Sequence, residues 1–138
     1  MKGKFCFTAI VLVFIGCTAE DVVIDPREAI LGRWEITHLG NGDQLTQIEN
    51  PIAYREYFED SLMRAYNYEE GTYDYEYWMN DSILTQRMAW IAFDGVYYDT
   101  IVVTQEYLYE FLDANTIRFN IINMTAWNYT SIYHRIDN

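Results

Sequence analysis

Along much of this chain, aromatic and aliphatic residues alternate with polar ones at a period of two. Within 72–79 the odd positions are Tyr73, Tyr75, Tyr77 and Met79, while Asp74 and Glu76 point the other way. Within 105–112, Tyr107, Tyr109 and Phe111 oppose Glu106 and Glu110. Within 116–121, Ile117, Phe119 and Ile121 oppose Arg118 and Asn120. Neighbouring side chains of a strand leave on opposite faces, so each pattern predicts a strand with one buried and one wetted face. Segments 62–68 and 96–104 carry apolar residues on both faces. Helical periodicity is nearly absent. The pair Asp25-Pro26 has the form of an N-cap followed by N1, and predicts one short helical turn over 27–31.

Turn signals recur at short intervals: Gly40-Asn41-Gly42-Asp43, Asp60-Ser61, Glu70-Gly71, Asn80-Asp81, Asp94-Gly95 and Asp113-Ala114-Asn115. Asp94-Gly95 predicts a type I′ hairpin. The longest predicted loop is 40–51, with a short helix placed near 45–48. Strands are predicted at 33–39, 54–59, 62–68, 72–79, 82–87, 90–93, 96–104, 105–112, 116–123 and 127–136. Most connections are two to four residues, too short for the crossover that a parallel pair needs. The chain therefore reads as an all-β antiparallel up-and-down meander of 8–10 strands. With no helices to cover its edges, such a sheet closes into a barrel or folds into a sandwich.

Composition narrows the function classes. At 138 residues with 51% hydrophobic content, the chain suits one globular domain. Its 9 basic and 21 acidic residues give a formal charge of −12. The only lysines are Lys2 and Lys4, so everything after them carries arginine as its sole permanent cation. A surface of that sign does not neutralise phosphates, which excludes nucleic acid as a partner and argues against electrostatic docking on anionic lipid.

Residues 1–4 carry two positive charges and 5–16 are uncharged, too short to span a bilayer and matched to a signal-peptide h-region. That stretch ends in Phe14-Ile15-Gly16-Cys17, which resembles the lipobox of bacterial lipoproteins. The resemblance implies a signal peptide over 1–16, acylation of Cys17, a tether over 17–29, and a folded domain over 30–138. Membrane lipid would then be a partner through acylated Cys17. Loss of Cys6 with the leader would leave no free thiol and no disulfide. Acyl chains at about 0.8 kcal/mol per buried methylene make attachment effectively permanent. Thr18 after the cysteine looks like an outer-membrane address, and Ala19-Glu20-Asp21 is similar to acidic signals for the cell surface. The expected location is the outer membrane, on its periplasmic face or the cell surface.

The first predicted strand opens Gly32-Arg33-Trp34 after Ile30-Leu31, and the last ends Tyr133-His134-Arg135-Ile136. This resembles the Gly-x-Trp opening and arginine-bearing closing strand of the lipocalin-like superfamily. The run from Tyr109 to Arg118 also looks like a hairpin of small lipocalin-like lipoproteins from Gram-negative bacteria. The resemblance implies a lipocalin-like β-barrel in which Trp34 plugs one end and Arg135 stacks across it as the barrel closure. The chain departs from larger lipocalins in lacking a C-terminal helix and a disulfide.

Candidate chemistry is sparse. Ser61, Ser82 and Ser131 are the serines after the leader, none in a Gly-x-Ser-x-Gly setting. His38 and His134 stand near the two ends of the seam, where Glu35 or Asp137 could join them at a metal; they read instead as strand-end imidazoles. Asp74 and Glu76 share a strand face and read as a solvated pair. No phosphate-binding glycine loop or zinc motif occurs. The chain reads as no enzyme, with no cofactor and no metal. What stands out is 13 tyrosines and four tryptophans. Inside a barrel, Tyr73, Tyr75, Tyr77, Tyr107, Tyr109 and Phe111 would form an amphipathic lining for a small hydrophobic or amphipathic ligand. The alternative is that the rings fill the barrel and the outer aromatics make a surface-displayed module for glycans or proteins.

Overall fold

The computed structural model describes residues 25–51, 53–122 and 129–136. The expected signal peptide, Cys17, the tether up to residue 24, and the ends 123 and 127–128 of two predicted strands lie outside the described residues. Asp25 caps helix α1 (Pro26–Ala29), accepting from the Arg27 N–H at 2.9 Å. The strands are β1 (Gly32–Asn41), β2 (Gln44–Gln47), β3 (Ala53–Tyr57), β4 (Leu62–Asn67), β5 (Gly71–Met79), β6 (Ile83–Phe93), β7 (Tyr98–Asp113), β8 (Thr116–Ile121) and β9 (Tyr129–Ile136).

From β3 onward each strand pairs antiparallel with the next, and β1 pairs with both β3 and β9. The ladder from Arg33↔Ile136 to Asn41↔Tyr129 closes the sheet into an eight-stranded barrel. A bulge between Ile36 and His38 shifts that register. The other edge of β1 is shared: Gly32–Glu35 pairs with β3 and His38–Asn41 with the extra strand β2. The all-β closed antiparallel meander expected from the sequence is the fold observed.

Three local expectations are corrected. The predicted helix near 45–48 is strand β2. A Cβ built on Gly40 would lie 2.0 Å from the Gln44 carbonyl oxygen, so the bare glycine lets the chain fold back tightly as a hairpin. The pairs of segments 82–87 with 90–93, and 96–104 with 105–112, are the single strands β6 and β7. Neither junction holds a turn residue, and the two strands pair continuously from Ile83↔Leu108 to Phe93↔Tyr98. Asp94-Gly95 forms no two-residue turn. The Asp94 carboxylate accepts from the N–H groups of Val96 and Tyr97, both at 2.8 Å, and the loop widens to four residues.

The barrel has one sealed end. There Ile30, Trp34, Tyr57, Met63, Leu84, Ile117 and Phe119 are wholly or almost wholly buried. The Trp34 indole N–H donates to the Ile30 carbonyl at 2.6 Å. Arg135 is the ladder partner of Trp34, and its guanidinium carbon sits 4.3 Å from the indole centre. It also donates to the carbonyls of Leu31 (2.7 Å) and Ala29 (2.5 Å). At the opposite end β6 and β7 run on as a two-stranded ribbon. Beyond Arg87 and before Gln105, neither has a second strand neighbour among the described residues.

Candidate functional site

The strand registers put Tyr73, Tyr75, Tyr77, Tyr107, Tyr109 and Phe111 on inward-facing positions, but the structure does not gather them into one site. Tyr77 and Tyr109 fill space toward the sealed end, their hydroxyls donating to the carbonyls of Phe58 (2.8 Å) and Asn80 (2.6 Å). Phe111 packs near Trp34, with ring centres 6.2 Å apart. Tyr73 is exposed and donates to the Glu70 carbonyl. Tyr75 is half-buried. Of the six, Tyr107 alone lines a cavity formed with residues of β1, β3, β8 and β9.

That cavity has a volume of about 500 Å³ and lies in the half of the barrel away from the Trp34 seal. Its size falls within the range of small-molecule sites. Ile36 and Leu39 from β1 and Ile121 from β8 form apolar walls. Gln105, Ser131 and Tyr129 stand where β7 and β9 approach the open rim. Deeper in lie Tyr107, Tyr133 and Arg55. The bulge in β1 keeps both Ile36 and Leu39 on the inner face, although they are three residues apart.

Arg55 is the unusual member. It sits in the middle of β3, opposite Trp34 on one side and Ala65 on the other. The small alanine leaves room for a long side chain. Its guanidinium carbon lies 4.9 Å from the centre of the Tyr133 ring, 5.4 Å from Tyr107 and 5.7 Å from Phe119. Phe119 in turn meets Tyr107 and Tyr133 edge-on, with centres 5.8 and 5.6 Å apart. Tyr57, also edge-on to Tyr77, completes the surroundings, and its hydroxyl accepts from the buried Gln86 amide at 3.0 Å. Arg55 borders the cavity, yet its Nη1 is enclosed and has no hydrogen-bond partner among the described residues.

The charge of Arg55 is uncompensated. Arg33, Arg64, Arg87 and Arg118 each pair with the carboxylate opposite them on the neighbouring strand, namely Glu56, Asp74, Glu76 and Glu110. These pairs form an outer belt. Arg55 faces inward, where Tyr133, Tyr107 and Tyr57 act on it and the Tyr57 hydroxyl is hydrogen-bonded to it; no carboxylate is paired with it among the described residues. Burial pushes the hydroxyls of Tyr57 and Tyr133 above the usual phenol range despite the opposing pull of Arg55, so both stay neutral at pH 7. A guanidinium does not lose its proton in a protein. An enclosed cation costs several kcal/mol even after relaxation. Each well-placed ring returns about 0.5–2 kcal/mol. Three rings offset much of that cost and leave a positive charge at the cavity floor.

The other candidate groups do not converge. His38 Nδ1 meets the Thr37 hydroxyl at 3.0 Å and His134 Nδ1 meets Thr116 at 3.3 Å. No cluster of metal-ligating side chains occurs among the described residues. Asp74 is on the outer face, held by both Nε and Nη2 of Arg64 at 2.7 and 3.1 Å. No protein-family model matches the chain, and no curated protein matches it. The sequence reading missed Arg55, Tyr133, Ile121 and Tyr129 as lining residues. The available signal was the run Ala53-Tyr54-Arg55-Glu56-Tyr57, in which one parity joins Arg55 to Ala53 and Tyr57.

Proposed function

We propose that the protein is a membrane-anchored lipoprotein, held at the outer membrane through acylated Cys17. Its lipocalin-like barrel binds a small hydrophobic or amphipathic ligand without catalysis. The single observation that carries the binding reading is the cavity of about 500 Å³ with aliphatic and aromatic walls on one side of a sealed barrel. Tyr107 and Tyr133 bring polar tips on apolar bodies, which suits a ligand of mixed character. The lipobox-like Ile15-Gly16-Cys17 carries the anchoring reading. The test is native mass spectrometry of the full chain after exposure to a cell-envelope lipid extract. A retained small molecule is expected. No retained mass from any extract fraction would abandon the binding reading. Loss of membrane partitioning in Cys17→Ser is expected, and unchanged partitioning would abandon the anchor.

A second reading has its own support. The ribbon of β6 and β7 exposes Ile91 (71%), Tyr97 (73%) and Tyr98 (78%), together with Trp90, Phe93 and Val102. Contiguous exposed apolar surface of this kind marks contact sites. An interaction module for glycans or proteins would use this ribbon. Glycan-array binding abolished by Trp90→Ala, with no ligand in the barrel, would favour that reading over the first.

A further inference from the structure

We infer that the ligand of this cavity is a monoanion with an apolar body, and that its carboxylate is received by the guanidinium of Arg55. This rests on the ligand-binding reading above and gives that ligand a chemical class. The lining contains one cation and no carboxylate, in a chain with 21 acidic residues. Four other arginines have found carboxylates on the barrel exterior. Arg135 is taken up by Trp34 and two backbone carbonyls, whereas Arg55 meets three rings, the hydroxyl of Tyr57 and the cavity. The rings occupy the faces of the guanidinium. Its N–H donors lie in its plane, where a planar carboxylate oxygen binds best.

Charge balance selects the head group. A single guanidinium neutralises one negative charge, which a carboxylate carries at neutral pH. A phosphate monoester carries about −1.5 to −2 and would leave the excess buried. The walls select the body. Ile36, Leu39 and Ile121 offer an apolar wall, while Gln105, Tyr129 and Ser131 put polar groups toward the rim. A short acyl chain or a compact apolar skeleton satisfies that wall, with its acid group leading. The acidic exterior would repel such an anion at long range, so the specificity lies in the pocket and not in steering.

The experiment compares three probes with the same tail: dodecanoate, dodecanol and dodecyl phosphate. Each is titrated by calorimetry into the full chain carrying Cys17→Ser, so that no acyl group of its own competes. Dodecanoate is expected to bind at least tenfold more tightly than dodecanol. Arg55→Met is expected to remove that difference by weakening dodecanoate at least tenfold, with dodecanol unchanged. Thermal unfolding without probe checks that the variant folds, and its midpoint is expected to equal or exceed that of the parent. Should the methionine not fold, Arg55→Gln serves in its place. Equal binding of acid and alcohol in both proteins would overturn the role of Arg55 and leave ligand binding standing. Tighter binding of dodecyl phosphate would overturn the carboxylate assignment. Failure of all three probes to bind, in a folded parent, would overturn both this inference and the binding reading it rests on.

Discussion

The guanidinium of Arg135 lies 4.3 Å over the indole of Trp34 while holding the carbonyls of Leu31 and Ala29. One side chain near the end of the chain thus ties down the first helix, the first strand and the seam between first and last strands. The cation–π contact alone is worth about 0.5–2 kcal/mol. The two charged hydrogen bonds add about 1.5–3 kcal/mol each when measured by removal.

Arg135→Ala removes the stack and leaves two inward carbonyls without their donor. The expected loss is about 2–4 kcal/mol, from the cation–π contact at about 0.5–2 kcal/mol and carbonyls left without a donor at about 1–3 kcal/mol. Arg135→Lys keeps the charge but loses the planar fork, and should recover less than half of the loss. Urea unfolding followed by circular dichroism measures both. A loss below about 1 kcal/mol for alanine would mean the seal contributes little.

Gly32 has φ of +103°, and a Cβ there would sit 3.3 Å from Arg135 Nη1. Both facts bear on Gly32→Ala. The positive φ costs an L-residue about 1–3 kcal/mol, and the contact forces the Arg135 guanidinium to give by a few tenths of an ångström. Gly71→Ala is the control. It has a similar φ of +99° with nothing within 4 Å of the added atom, so it should show the backbone cost alone. Equal losses at the two positions would show that the Arg135 contact is immaterial.

Burial raises the folded-state pKa of Tyr57 and Tyr133 above the unfolded value near 10. Their contribution to stability is therefore complete below about pH 10 and is lost as pH climbs beyond it. At the acid end the signs reverse. Arg64 holds Asp74 below the ordinary carboxylate range, backbone N–H groups of Tyr97 and Val96 do so for Asp94, and that of Asn115 for Asp113. Their share is present above about pH 4 and fades as pH falls through the lowered values. The melting temperature should be flat between about pH 5 and 9 and fall on both sides. Tyrosinate absorbance from the buried rings should appear only with loss of the β signal. Full ionisation of all tyrosines in the folded barrel would contradict their burial.

In the ribbon, segments 88–93 and 98–103 pair with each other and with no further strand among the described residues. A hairpin standing alone is marginal in water. Its amides should exchange with solvent far faster than those of β1 and β9, which are paired on both edges near the seam. Hydrogen exchange read by mass spectrometry tests this directly. Ribbon protection equal to that of β9 in the isolated chain would mean that something else covers it.

Much of the fold was legible because sheet physics writes itself at short range. The inward rings of β5, β7 and β8 follow from strict alternation, and the closed meander follows from short turns and sheet edges with no helices to cover them. Strand lengths were less legible. β7 runs for 16 residues, well beyond the usual five or six, and the local sign of one long strand was the lack of a turn residue at Thr104-Gln105. The cavity was the least legible feature. In β3 polar residues stand at both parities, with Arg55 on one and Glu56 on the other, so alternation does not say which faces inward. A charge on a strand reads as solvated by default. Only the closed registers reveal that Arg55 turns toward Tyr107, Phe119 and Tyr133, while Tyr77 and Tyr109 are spent as filler.

The chain enters the barrel at α1, beside the plugged pole, and the cavity lies toward the other. The pole remote from α1 is thus the open one, and Gln105 and Tyr129 are the first side chains that a solute entering from that side would meet.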